Sequence, residues 1–157
     1  MTNKQLVDEI FDNLVNDSDN PGRMLAHIDD NCEWTLQPGN ITYKGRKAIS
    51  EFIDVAMASR GAKRSEKPTK IKVVSHFANQ DSTYFCFEFD HKFSFGSKVP
   101  GLGKRASKMS VQHCNVYRIS DGKIMTVHEY TSSPYWWLNL SMQLVLKRMH
   151  TKVQRAQ

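Results

Sequence analysis

The stretch ASKMSVQHCNVYRISDGKIMTVHEYTS, residues 106–132, alternates in side-chain character on both sides of a central Asp121-Gly122. An Asp-Gly pair accepts the positive φ angles of a two-residue hairpin turn, so the pattern predicts strands at 106–120 and 123–132 joined there. A period of two divides the first strand into two rows. One row holds Val111, His113, Asn115 and Tyr117; the other holds Gln112, Cys114, Val116 and Arg118. On the second strand Val127, Glu129 and Thr131 share one row, with His128 in the other.

Working outward, β-branched and aromatic residues also dominate 70–79 and 83–95, which predicts two more strands before the hairpin. In the second of these, Phe85, Phe87, Phe89, Phe93 and Phe95 line one face, which helices or a second subunit must cover. The first third of the chain changes period. Leu6, Val7, Ile10, Phe11 and Leu14 have the spacing of an amphipathic helix over 3–15. Pro21 and the stripe Met24, Leu25 and Ile28 predict a short second helix, closed by Asp29-Asp30-Asn31. A strand from Cys32 to Gln37, a Pro38-Gly39 turn, an extended piece at Ile41 to Tyr43 and a helix through Ile49, Phe52, Ile53 and Ala56 follow. Helices first and hairpin-linked strands afterwards give an α+β class. After Pro134, residues Leu138, Met142, Val145, Met149 and Val153 predict a terminal helix from Tyr135 to Val153 that packs on the body or on a second subunit.

The composition excludes several roles. No apolar run approaches the roughly 18 residues of a membrane span, and the polar start Met1-Thr2-Asn3-Lys4-Gln5 carries no signal segment, so the reading is a cytoplasmic protein without integral membrane contact. The net charge of +6 is uneven. Residues 1–59 hold five basic and ten acidic side chains, and residues 60–157 hold seventeen and six. The basic residues cluster at 60–72, 98–108 and 147–155, in loops and helix ends where solvated surface is the ordinary explanation; no nucleic-acid partner is expected. The glycine-containing loop 96–108 is not a phosphate loop, because Leu102 stands where the motif needs lysine. Cys32, Cys86 and Cys114 form neither a disulfide framework nor a C-x-x-C pair, and His76, His91 and His128 lack metal-ligand spacing. No metal or cofactor site is expected.

Three stretches carry a resemblance to a known family: Ile28-Asp29-Asp30-Asn31-Cys32-Glu33-Trp34, Tyr43-Lys44-Gly45-Arg46-Lys47-Ala48-Ile49-Ser50-Glu51-Phe52, and Val116 to Ile124 around the hairpin turn. In this order the chain resembles the NTF2-like superfamily, in its SnoaL-like and ketosteroid isomerase-like branch. The resemblance implies one domain over 1–157: a cone in which a curved antiparallel sheet wraps around N-terminal helices, with 134–155 as a helical extension. It also implies a homodimer formed through the sheet, and a pocket for a small hydrophobic carbonyl compound lined by the row His113, Asn115 and Tyr117.

The family's catalytic patterns are matched unevenly. The isomerase base position falls on Leu36, or on Thr35 with a slip of one residue, and the isomerase tyrosine falls on Phe11. Steroid isomerisation is therefore not expected. A SnoaL-like or dehydratase-like proton transfer finds a His113–Glu129 pair on neighbouring strands, with Asn115 to polarise a carbonyl. A histidine and a glutamate so placed are also often a satisfied polar pair, so a non-catalytic binding or protein-interaction module stands beside the enzyme. Trp34, Tyr43, Tyr117, Val127, Thr131, Phe11 and Leu36 complete the expected ligand wall.

Overall fold

A computed structural model of the chain describes residues 1–17, 20–37, 39–59, 70–93 and 109–132, together with 147, 150, 151, 153 and 154. Helix α1 spans Asn3–Asn16. It begins with a capping box in which Thr2 Oγ1 accepts from the Gln5 backbone N–H at 3.2 Å and Gln5 Oε1 accepts from the Thr2 N–H at 2.8 Å. Two of the amide donors that a helix start leaves without partners are thereby satisfied. Its other end is tied by buried Asn13, whose Nδ2 donates to the carbonyls of Asp17 and Asn20 at 3.1 and 3.0 Å. Helix α2 is the single turn Gly22–Leu25. Arg23 holds it to α1 through Asp12 at 2.9 Å.

The second helix is shorter than its sequence suggests. Ile28 and Asp29-Asp30-Asn31 belong to strand β1, Ile28–Gln37. The ladder wins because Ile28 is fully buried in register with Ile124, and the Ile124 N–H donates to the His27 carbonyl at 2.9 Å. β-branched isoleucine gains more from that pairing than from another helical turn. The remaining elements are β2 Ile41–Lys44, α3 Gly45–Ser59, β3 Lys70–Ala78, β4 Tyr84–Phe93, β5 Met109–Ser120 and β6 Lys123–Ser132.

The six strands form one curved, unclosed sheet in the order β2-β1-β6-β5-β4-β3. It differs from the antiparallel sheet that the resemblance implies in one pairing, because β1 runs parallel to β6. Between these two strands the chain passes through α3 and the four strands β2 to β5, ample length for the crossover that parallel neighbours need. The β5–β6 turn has Asp121 at φ 52° and Gly122 at φ 67°, the conformation its Asp-Gly sequence favours. A side chain at 122 would also meet the Met1 carbonyl, and the Gly122 N–H donates to Asn3 Oδ1 at 3.0 Å, so the start of α1 docks on this turn.

Helices α1 and α3 cover one face of the sheet, here the inner face. Phe11 of α1 packs edge-on against Phe87, and Phe52 of α3 stacks on Tyr43 at 4.5 Å. Phe85, Phe87 and Phe89 are buried there with Leu6, Ile10 and Ile49. Phe85, Phe87 and Phe89 of the phenylalanine row are thus buried within the chain itself, while Phe95 and the side chain of Phe93 lie outside the described residues. The loop expected at 96–108 and residues 60–69 of the first basic cluster lie outside the described residues, as does the terminal helix apart from helical Lys147, His150, Thr151, Val153 and Gln154. Val153 is buried in the core cluster, so this part of the segment packs on the body.

Candidate functional site

The inner face of β5 and β6 gathers the polar residues singled out in the sequence. Register places Asn115 opposite Glu129 and His113 opposite Thr131. Across the other edge of β5, Phe87 faces Asn115 and Phe89 faces His113. Parallel pairing then sets Leu36 beside Glu129 and Trp34 beside Val127, while Tyr43 lies opposite Trp34 on β2. Strand pairing alone therefore brings His113, Asn115, Glu129, Trp34, Leu36, Val127 and Tyr43 onto one surface. Phe11 reaches the same surface from α1 through Phe87 and through His76, whose ring lies 4.7 Å away.

Glu129 is the hub. Its Oε2 accepts from the Trp34 indole Nε1–H at 3.1 Å, and its Oε1 stands 3.4 Å from His113 Nδ1. Thr131 Oγ1 is 3.5 Å from the same nitrogen. The His113 ring stacks flat on Phe89, with centroids 4.8 Å apart and planes 3° from parallel. A carboxylate at Nδ1 and an aromatic plate on the ring face together fix the imidazole in position and favour the tautomer protonated at Nδ1. Both groups are largely withdrawn from water, with side chains 12% and 19% exposed.

Among the described residues, the buried Asn115 Oδ1 and Tyr43 hydroxyl have no hydrogen-bond partner. Asn115 is 5% exposed; its Nδ2 donates to the Tyr117 hydroxyl at 3.2 Å and its Oδ1 is unpartnered. One amide hydrogen is therefore committed to Tyr117, and the orphan is an acceptor, suited to a hydroxyl donor; the carbonyl role read from sequence falls to the second Nδ2 hydrogen. Tyr43, 2% exposed, has an unpartnered hydroxyl, and burial pushes its pKa up to about 12. It is a neutral donor at physiological pH. Burial likewise raises the Tyr117 hydroxyl above its ordinary value. Each such orphan has hydrogen-bonding capacity that a polar group of a ligand could use.

Other expected positions are placed as follows. Tyr117 and Val127 are fully buried, and Leu36 is buried. Tyr117 stacks on Phe85 at 5.8 Å, which makes it part of the packed core as well as a partner of Asn115. Thr35, the slipped alternative for the isomerase base, lies within 3.0 Å of the Thr42 hydroxyl on the neighbouring strand. His128 is exposed on the outer face. Two residues were missed from sequence. Phe52 wedges between Tyr43 and Trp34, its centroid 6.4 Å from the indole, and its place on the apolar stripe of α3 was the available signal. His150 meets the Tyr43 ring edge-on at 5.4 Å and has a buried, unpartnered Nδ1. It lies three residues before buried Val153, hence on the same helical face.

Among the described residues no three of His, Cys, Asp and Glu are placed to hold a metal ion, and no helix is long and apolar enough to cross a membrane.

No protein-family model matches the sequence, and no curated protein is similar to it at a significant level. Solved structures are similar in shape. A Pseudomonas putida protein assigned provisionally as a polyketide cyclase superposes with TM-score 0.64 at 15% identity, covering 88% of this chain and 97% of that one. An NTF2-like protein of unknown function from Cytophaga hutchinsonii gives 0.58 at 16% identity, over 82% and 97%. A Catenulispora acidiphila protein with a ketosteroid isomerase-like fold, solved in complex with trimethylamine, gives 0.59 at 12% identity, over 85% and 88%. With its helices on the inner face of a six-stranded curved sheet, the chain has the NTF2-like fold of these solved structures.

Proposed function

We propose that this chain is a SnoaL-like pocket protein that binds a small hydrophobic carbonyl compound on the inner face of β5 and β6 and moves a proton on it. The observation that carries this reading is the Glu129 carboxylate held between Trp34 Nε1 and His113 Nδ1 beside the unpartnered Asn115 Oδ1. In this reading Glu129 holds the Nδ1 proton, so His113 Nε2 carries the lone pair and acts as the base. Asn115 and Tyr43 orient the ligand through their unused hydrogen-bonding capacity. The fold neighbours support a ligand-binding scaffold, and the chemistry rests on these residues alone.

Native mass spectrometry of the purified protein, followed by deuterium exchange α to the carbonyl of whatever compound is recovered, tests the reading. Exchange that falls at least a hundredfold in His113→Ala and in Glu129→Gln supports it. Exchange unchanged in both variants overturns the catalytic part. A non-catalytic binding module is favoured by one observation: the isomerase base position carries buried Leu36 instead of a carboxylate. Binding without exchange in the wild type selects that reading.

We further read the whole of 1–157 as one domain, with 134–155 as its helical extension, in a reducing cytoplasm consistent with three free cysteines. A homodimer is proposed at the β3 side of the outer face, where Val74, Phe77 and Tyr84 are exposed. Sedimentation of the wild type against Phe77→Glu reads this directly, with a monomeric variant as the expected result.

A further inference from the structure

Outside the inner-face site, the outer face of the sheet brings two thiols together. Cys86 on β4 and Cys114 on β5 have Sγ atoms 3.6 Å apart, and both side chains are half-buried. Register explains the approach. Cys86 pairs with Val116 and Cys114 with Glu88, so the cysteines are diagonal neighbours on one face. Phe77 stands opposite Cys86 on β3, and Tyr130 stands opposite Cys114 on β6; both are exposed. The pair therefore sits in a shallow apolar frame reached from solvent. Cys32 is far from this arrangement in character, being fully buried on β1.

Distance decides what two such thiols can do. A disulfide needs sulfurs at about 2.05 Å and Cα atoms closer than about 7 Å, whereas diagonal strand neighbours have Cα atoms about 7–8 Å apart. The pair would have to close by roughly 1.5 Å against a rigid ladder. Two thiolates bound to one ion at about 2.3 Å lie about 3.8 Å apart at a tetrahedral angle and about 4.6 Å apart when collinear. From 3.6 Å the collinear spacing of a two-coordinate ion requires the sulfurs to open by about 1.0 Å, a change that side-chain rotation can supply without moving the strands.

We propose that Cys86 and Cys114 form a two-thiolate site for a soft, thiophilic monocation of the monovalent copper class. The described residues offer no third ligand, which disfavours zinc and the oxygen-seeking ions and suits an ion content with two sulfurs. Binding replaces two S–H protons by one cation, releases both protons to solvent and moves no electrons. The Glu88 carboxylate, held by Ser75 Oγ at 2.9 Å, faces Cys114 and adds negative potential for the cation. Without an ion, burial above all, then the hydrogen bond and charge of Cys114 and the charge of Glu88, hold the Cys86 thiol up at about 11. Cys86 by itself is therefore a poor nucleophile at neutral pH.

The test is anaerobic titration of the full chain with monovalent copper against a competing chelator. The expected result is one ion per chain, with affinity at least tenfold weaker in Cys86→Ser and in Cys114→Ser and unchanged in Cys32→Ser. A wild type that takes no copper from the weakest chelator, or binding indifferent to both outer-face substitutions, overturns the proposal. Alkylation of the wild type, read by peptide mass spectrometry, keeps the test independent of variant folding. Copper should protect Cys86 and Cys114 together, and protection of neither contradicts the site.

Discussion

His113 and His128 lie on neighbouring strands of one hairpin, yet they face opposite sides of the sheet. His113 is stacked on Phe89 and set against Glu129, whereas His128 is exposed. The same contrast runs along both strands. Inner-face Asn115, Tyr117, Val127 and Glu129 are buried or nearly so and engaged with one another or the core, while outer-face Tyr130 is half-exposed. Residue type does not separate the two sets, since each holds aromatic, aliphatic and histidine side chains. What separates them is which face the helices cover, and that assigns chemistry to one row and solvent to the other.

Substitutions that exchange the two faces should break this contrast most visibly. Tyr117→Ala empties a fully buried position and should cost about 3–5 kcal/mol in urea denaturation, against less than about 1.5 kcal/mol for Val116→Ala next to it. Equal losses would mean that the inner row is not the core. Glu129→Ala removes the acceptor of Trp34 and the partner of His113, for an expected loss of about 2 kcal/mol, whereas Tyr130→Ala should stay within about 0.5 kcal/mol.

Tyr43→Phe sharpens the comparison in the opposite direction. Its buried hydroxyl has no partner, so the ligand-free protein should gain about 1 kcal/mol while ligand affinity falls. The variant should also change the alkaline limb. The fold holds the Tyr43 proton to about 12, but the unfolded chain releases it from about pH 10. Stability is therefore full below pH 10 and declines between pH 10 and 12, as the unfolded state binds fewer protons. Tyr117 and Cys32, also raised by burial, act in the same sense. Urea midpoints collected against pH should fall less steeply in Tyr43→Phe than in the wild type. The smallest effect belongs to Thr2→Ala, which breaks the capping box away from both faces and should cost about 0.5 kcal/mol.

Much of this was legible in the sequence because period-two alternation is a backbone property. The rows of β5 and β6 and the Asp121-Gly122 turn could be read directly from it. Less legible was whatever depended on partners distant in sequence. Ile28 left its helix for a ladder with Ile124, and the parallel pairing of β1 with β6 placed Trp34 within reach of Glu129, 95 positions away. No local pattern encodes either. The hydrogen bond from the Asn115 amide to Tyr117, two residues along the same strand, is a side-chain contact that alternation alone does not specify. The thiol pair arises from a diagonal register that neither cysteine's own neighbourhood shows.

Nuclear magnetic resonance of the isotopically labelled protein during titration with 1-tetralone, a bicyclic aromatic ketone, tests the inner-face site most directly. The Trp34 indole N–H and the Asn115 side-chain amide should shift saturably, and the backbone amides of Val116 and His128 should hardly move. Saturable shifts confined to the outer-face residues, with the Trp34 and Asn115 resonances unmoved, would contradict the assignment.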